Sequence, residues 1–581
     1  MVNAEDVGYG LKIGALDPIG IGDALAALAI DRARRPLDLT QDWLDFGLAQ
    51  TRAGLHFLSR CLGDKPEPDS APNGDRRFAD RAWRDNPFLA TMLESYLVWQ
   101  DQVRGLVDRS GLEDETRQKA AFGIRAITDA LAPSNLPWLN PAVLKEAIDT
   151  GGLSLARGMA NFVDDAIHNR GYPRQVDRTP FELGKNLAAT PGRVVFRNDL
   201  IELIAYEPRT PTVYAEPILC SPPWINKYYV MDLAPNRSFI QHAVDNGFRV
   251  FAVSYRNPDA TMATFTMDTY LEKGLLKAIE LAGRISGSPR VNLVGLCLGG
   301  TLTVVALAYL ASNGFGDRIG WAAVTNTLVD FGQPGDLGVF TDEQTVVRLE
   351  EQMKARGFLE ASDMAGTFDW LRANDLIWNY VVSNWYMGKQ PSAFDILAWN
   401  ADSTNMPAAM HSQYLRTCYL QNALVKPGEF IISGTPIDLR AIETPIYVLA
   451  AENDHIAPWR SAYRTTQLTG GETRFTLTSA GHIAGIVNPI DSPKSQYWTR
   501  EGCPPSAEEW RSGAAQHQGS WWADWLAWAA QRSGEQIPAP ALPPGDPAPG
   551  LYVRNETGPA FDLKAAPAPR PRRPRRTAPS A

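Results

Sequence analysis

Val291-Asn292-Leu293-Val294-Gly295-Leu296-Cys297-Leu298-Gly299-Gly300 is the stretch on which the reading of this chain turns. Val291 to Leu296 has the short apolar composition of a buried strand, and Thr301 to about Ser312 continues as an apolar helical run. Cys297 stands alone between them. The pattern G-x-nucleophile-x-G marks a sharp strand-to-helix elbow, here with cysteine where serine usually stands. Glycines flank it because such a turn leaves no room for a Cβ beside the nucleophile. The helix that follows turns its positive N-terminal end toward the sulfur and favours thiolate over thiol. The plain alternative, an inert buried thiol, does not account for the glycine pattern.

Outward from the elbow, short β-rich runs recur at 193–197, 201–206, 217–221, 249–254, 320–326, 446–451 and 474–479, with helical patterns at 264–285 and 301–312. Strands that alternate with helices in this way indicate a mostly parallel sheet covered on both faces. The fold class is therefore α/β, an α/β-hydrolase fold over residues 186–536. Within it, about 330–440 is long and rich in aromatic residues, including Phe368, Trp370, Trp378, Trp385 and Trp399, and is read as an inserted cap (lid) subdomain. Residues 1–185 form a mostly helical N-terminal domain. Asn86 to Trp99 has apolar residues at three- and four-residue spacing, 63–75 reads as a loop, and Pro137, Pro141 and Pro173 break the later helices. Gly519 to Trp528 reads as an aromatic-faced final helix. Residues 537–581 are Pro-rich and end in a basic run, Arg570 to Arg576, and such a tail is expected to be disordered and solvated.

Composition narrows the function classes. The chain of 581 residues is 44% hydrophobic and carries 17 Trp, enough for two domains with sizeable cores. A net charge of -9 is modest at this length and argues against a nucleic-acid partner. The five cysteines (61, 220, 297, 418, 503) form no C-x-x-C pair, which argues against a disulfide framework or a zinc site and suits a reducing cytoplasm. The first thirty residues lack the order of a signal peptide, and no stretch approaches a membrane span.

A nucleophilic cysteine needs a base and a group that orients the base. In this fold the chain order is nucleophile, acid, histidine. Asp454 follows the run 446–451, and His482 follows the run 474–479 on a loop flanked by Gly481 and Gly485. His455, adjacent to Asp454, is given a supporting role, and His411 lies in the insertion. An oxyanion requires two preorganised N–H donors. The backbone of Leu298 at the helix start is one. The other comes from the loop Ser221-Pro222-Pro223-Trp224-Ile225-Asn226; two prolines have no N–H, which leaves Trp224, Ile225 or Asn226, with Ile225 favoured. Sulfur at the elbow exchanges one thioester for another at nearly equal free energy, so the acyl-enzyme keeps its activation. That points to acyl transfer from a thioester without excluding hydrolysis.

With these residues in place, the chain from about 75 to 555 resembles the polyhydroxyalkanoate synthases, or poly(3-hydroxyalkanoate) polymerases. The matching pieces are Arg76 to Asp80, Asn86-Pro87-Phe88, Pro222 to Tyr229, the Gly295-x-Cys297-x-Gly299-Gly300 box, Pro334 to Gly338, Trp399-Asn400-x-Asp402, Asp454-His455-Ile456-x-Pro458, Gly481-His482 and Gly519 to Trp522. The resemblance implies a cytoplasmic enzyme associated with polyhydroxyalkanoate granules, one that polymerises (R)-3-hydroxyacyl-CoA and releases coenzyme A. Cys297 would carry the growing chain as a thioester and His482 would deprotonate it. Asp454 would orient His482 or itself activate the incoming hydroxyl. No metal or organic cofactor is implied; the coenzyme A thioester is substrate. The partners implied are the granule surface, granule-coating proteins and a second subunit in a homodimer. Ala408 to Arg416 resembles the type acting on short acyl chains such as 3-hydroxybutyryl-CoA, whereas Leu296 and Leu298 depart from the aromatic and valine often found there. The competing functions are a thioesterase or polyester depolymerase with the same triad, and a catalytically silent granule-coat protein.

Overall fold

A computed structural model describes residues 19–64 and 74–562 and divides into two compact units. The arginine-rich run at 570–576 and most of the expected loop at 63–75 lie outside the described residues.

The unit that carries the elbow comprises Glu182–Asn257, Phe265–Asp330 and the chain from Ala423 onward. Its principal strands are β1 (Gly192–Arg197), β2 (Ile201–Tyr206), β3 (Ile218–Ser221), β4 (Val250–Tyr255), β5 (Val291–Leu296), β6 (Ile319–Thr325), β7 (Ile446–Ala451), β8 (Thr473–Thr478), β9 (Gln496–Thr499) and β10 (Ala515–Gln518). They lie side by side in the order β10-β9-β8-β7-β6-β5-β3-β4-β2-β1. β4, β3, β5, β6, β7 and β8 are mutually parallel. β1 and β2 extend the sheet antiparallel at one edge, and β9 and β10 do so at the other. Every residue of β5 and of β7 is buried, as expected of parallel strands covered on both faces. All eight strand runs read from the sequence are present. β9 and β10 were not anticipated, because Gln496–Thr499 and Ala515–Gln518 are polar, partly exposed edge segments without an apolar run.

The final helix, Trp522–Ala530, is aromatic on its buried face. Trp525 lies against Phe239 (ring centroids 4.6 Å apart) and Phe248, and Trp528 lies against Trp321. The expectation that disorder begins at 537 is corrected. Gln536–Pro538 pairs antiparallel with Thr212–Tyr214, and Asp546–Pro547 and Phe561–Asp562 both pair with β1. A Pro-rich segment builds no core of its own, but it can pair along an existing edge wherever its remaining N–H groups fall on the right side.

The other unit comprises the chain up to Phe181, Pro258–Thr264 and Phe331–Asn422. Its long helices are Ile21–Ala33, Pro36–Cys61, Pro87–Asp108, Asp114–Ala130 and Leu153–His168. Asn86 caps Pro87–Asp108 by accepting from the N–H groups of Phe88 and Leu89, and Pro87 takes the first helical position, where no N–H is required. The aromatic insertion belongs with these helices rather than forming a subdomain of the sheet-bearing unit. Phe122 packs with Val339, Leu371 and Phe340, and Trp385 bonds Asp165 through its indole N–H at 2.9 Å. Phe162 of Leu153–His168 likewise packs edge-on against Trp385, with ring centroids 5.0 Å apart.

Candidate active site

The parallel strands deliver the candidate residues to one edge. Ser221 is in register with Gly295, Leu296 with Thr325, Thr325 with Leu449, and Ala451 with Thr478. Cys297, Asn326, Asp454 and His482 therefore all emerge from carboxyl ends of adjacent strands, the edge at which open parallel sheets bind ligands.

Cys297 sits in the turn between β5 and the helix Leu298–Ser312 with φ 52° and ψ −119°. This is backbone strain in a non-glycine residue, held by the surrounding fold. The Cys297 N–H donates to the Thr325 carbonyl at 2.9 Å, and the Cys297 carbonyl accepts from the N–H groups of Gly300 and Thr301. Thr327 Oγ1 also donates to that carbonyl, at 3.2 Å. The three glycines have separate reasons. A Cβ on Gly295 would lie 2.6 Å from Gly300 Cα, one on Gly299 would lie 2.1 Å from the Ser221 carbonyl oxygen, and one on Gly300 would lie 1.9 Å from Thr327 Oγ1. Gly299 thus lets the helix start press against the end of β3, where the chain runs on into Pro222 and Ile225. Leu298 occupies the first helical position, so its N–H has no carbonyl four residues back. Ile225 is half-buried in the loop after β3.

His482 Nδ1 lies 2.6 Å from Asp454 Oδ2, and the Asp454 side chain is fully enclosed. The other carboxylate oxygen, Oδ1, accepts from the N–H groups of Ile456 at 2.8 Å and Ala457 at 2.9 Å, so the backbone of the loop fixes the carboxylate. The Cys297 side chain lies close enough to the imidazole to act on it electrostatically. Burial pulls the His482 pKa down, but the Asp454 carboxylate and the Cys297 sulfur outweigh it and hold the imidazole well above its ordinary value. The fold thus joins all three residues chosen from the sequence. Of the other cysteines, Cys61 is exposed on a helix, Cys220 and Cys418 are buried, with burial pushing the Cys418 thiol up to about 12, and the half-buried Cys503 donates to the Thr473 carbonyl at 3.6 Å. His411 lies buried in the other unit, where burial pushes its imidazole down to about 4.

Two positioning groups escaped the sequence reading. Asn326, directly after β6 with φ 46°, donates its side-chain amide to the His482 carbonyl. Asparagine at a strand end is among the few non-glycine residues that tolerate positive φ, and that was the available signal. The indole N–H groups of Trp521 and Trp522 donate to the carbonyls of Gly485 and Ile486 at 2.9 and 2.8 Å and anchor the segment that follows His482. Among the described residues no cluster of histidine, cysteine, aspartate and glutamate is arranged to hold a metal ion, and no helix is long and apolar enough to cross a membrane.

A family model described as poly-beta-hydroxybutyrate polymerase (PhaC) N-terminus matches residues 74–243, and one described as alpha/beta hydrolase fold matches 226–489. The chain is 42% identical over 524 residues to a poly(3-hydroxyalkanoate) polymerase of Methylorubrum extorquens, a match covering 87% of this chain and 86% of that one. The chain belongs to the poly(3-hydroxyalkanoate) polymerases. It is also 42% identical over 509 residues to the polymerase subunit PhaC of Cupriavidus necator, covering 86% of each chain. Against poly(3-hydroxyalkanoate) polymerase 2 of Ectopseudomonas oleovorans it is 43% identical over 500 residues, covering 85% of this chain and 88% of that one. As a polymerase of this family it is an enzyme, an acyltransferase on the α/β-hydrolase fold.

Proposed function

We propose that this enzyme polymerises short-chain (R)-3-hydroxyacyl-CoA, 3-hydroxybutyryl-CoA in the first instance, through an acyl thioester on Cys297. His482 takes the thiol proton, and the sulfur attacks the thioester carbonyl. The N–H groups of Leu298 and Ile225 receive the oxyanion. The carbon–sulfur bond to coenzyme A breaks, and coenzyme A leaves with the proton from the imidazole. The 3-hydroxyl of another acyl unit then attacks the Cys297 thioester. An ester bond forms, the bond to Cys297 breaks, and the hydroxyl proton passes by way of the imidazole to the cysteine sulfur. Asp454 holds the imidazole with Nε2 free to accept. No metal or cofactor enters the scheme. The same reading has the enzyme work as a homodimer in the cytoplasm, at a granule surface shared with coating proteins and without nucleic acid.

One observation carries the proposal. A cysteine, not a serine, occupies the strained elbow beside an imidazole held by a fixed carboxylate. A thioester intermediate stays activated toward an alcohol, whereas an oxygen ester at the same place loses that activation. The test is product analysis with 3-hydroxybutyryl-CoA. Polymer together with coenzyme A is expected from the native chain, no coenzyme A release from Cys297→Ala, and only a small residue from Cys297→Ser. Free 3-hydroxybutyrate in place of polymer would make the chain a thioesterase or depolymerase.

A further inference from the structure

We propose that Lys227 is a positioning residue for acylation: the turn Tyr552–Arg554 holds its ammonium group and thereby fixes the backbone of the loop that presents the Ile225 N–H. This rests on the reading of Ile225 as an oxyanion donor. Every residue from Ser221 to Leu233 is buried except Ile225, which is half-buried. Lys227, in the middle of this enclosed run, is only 2% exposed. Taking an ammonium ion out of water is costly unless hydrogen-bond acceptors replace the water. A methionine would fill a similar space without that cost. The acceptors for Lys227 come from far along the chain. Its Nζ donates to the Tyr552 carbonyl at 3.3 Å and to the side-chain oxygen of Asn555.

The turn that receives Lys227 is anchored at its other end. Oε2 of Glu202, a fully buried residue of β2, accepts from the N–H groups of Leu551 and Tyr552, each at 3.0 Å. Arg197 of β1 holds that carboxylate in turn, with Nε 2.7 Å from Oε1. The Tyr552 hydroxyl donates to the Asn198 carbonyl between the two strands. The turn thus has a carboxylate where its N–H groups lack partners and an ammonium where its carbonyls lack them. The loop is held from both sides as a result. At its start, Gly299 lets the helix Leu298–Ser312 press on the carbonyls of Ser221 and Pro222. Within it, Trp224 packs against Tyr270, with ring centroids 5.6 Å apart. At its end, Lys227 is tied to the turn. Ile225 lies between these fixed points, two residues from the lysine. A donor held in this way needs no reorganisation when charge develops on the substrate oxygen.

Two reactions of the same sulfur, both in the full chain, test this. Acylation by 3-hydroxybutyryl-CoA, read as the rapid-quench burst of coenzyme A, places negative charge on an oxygen. Alkylation by iodoacetamide, read by mass on the Cys297 peptide, needs the thiolate and the imidazole but forms no oxyanion. Lys227→Met is expected to slow acylation by about 10²-fold, the scale of a lost oxyanion donor, and to leave alkylation within about threefold of native. Asn555 is exposed with φ 60°, so Asn555→Gly suits the backbone and removes only an acceptor of Lys227. It is expected to slow acylation several-fold, and to add nothing to Lys227→Met, because it acts through the lysine. Native acylation in Lys227→Met overturns the proposal. So does a parallel fall of acylation and alkylation, or an Asn555→Gly effect of equal size with and without the lysine. Ile225→Pro, which has no N–H at 225, keeps the two readings apart. Slow acylation there beside native acylation in Lys227→Met removes only the lysine's role, whereas native acylation in Ile225→Pro overturns the oxyanion assignment itself.

Discussion

Asp454→Asn isolates what the buried carboxylate does, because the structure dictates how the new amide must sit. Oδ1 of residue 454 accepts two backbone N–H groups, from Ile456 and Ala457. An asparagine keeps both bonds only by leaving its oxygen there, and its NH₂ then faces His482 Nδ1 across the present 2.6 Å contact. Nδ1 is forced to accept, the ring proton moves to Nε2, and the nitrogen meant for the cysteine proton has no lone pair. Turning the amide over restores the tautomer but gives up both N–H···O bonds, about 1 kcal/mol each, or roughly 2 kcal/mol in total. That leaves about one molecule in 30 competent. Loss of the negative charge beside the developing imidazolium removes a further factor, and the total expected fall is about 10³–10⁴-fold, the scale of the equivalent change in serine proteases.

The assay is coenzyme A release from 3-hydroxybutyryl-CoA, with a rapid-quench burst to separate acylation of Cys297 from chain growth. Both phases are expected to fall together. Release within tenfold of the native chain, in protein with unaltered circular dichroism, would refute the tautomer argument. A full burst of one coenzyme A per enzyme with no elongation would refute it differently, by assigning Asp454 to the incoming hydroxyl rather than to His482.

Three further outcomes are expected. Because the His482 pKa is raised in the fold, its contribution to stability is fully present below the unfolded value of about 6.5 and is lost as pH rises through the folded value. Urea midpoints should therefore show the native chain losing more stability than Asp454→Asn between about pH 6 and the alkaline side of that raised value. Gly299→Ala drives a Cβ into the carbonyl oxygens of Ser221 and Pro222, at 2.1 and 2.5 Å, and should lower stability by about 1–3 kcal/mol. It should also displace the loop that carries Ile225, so coenzyme A release should fall by more than the unfolded fraction explains. Asn326→Ala removes the donor to the His482 carbonyl and should destabilise by about 1–3 kcal/mol in thermal melts, with slower acylation of Cys297.

The local and periodic parts of this protein were legible in its sequence. The elbow, the eight apolar strands and the order cysteine, aspartate, histidine needed only short-range patterns, because a buried parallel strand must be an apolar run and a sharp elbow must have glycine. The polar edge strands β9 and β10 and the paired Pro-rich segment carry no such signature; an edge strand forms because a neighbour presents unpaired N–H and C=O groups, and that neighbour is remote in the chain. The same holds at the site. The residue types of Cys297, Asp454 and His482 announce their chemistry, whereas Asn326, Trp521 and Trp522 act through backbone carbonyls, which any residue possesses. The insertion 331–422 shows the limit most clearly. Its aromatic composition says that it must be buried against something, but composition is silent on the partner, and only the packing of Phe122 with Phe340 and of Trp385 with Asp165 assigned it to the helices that precede the sheet.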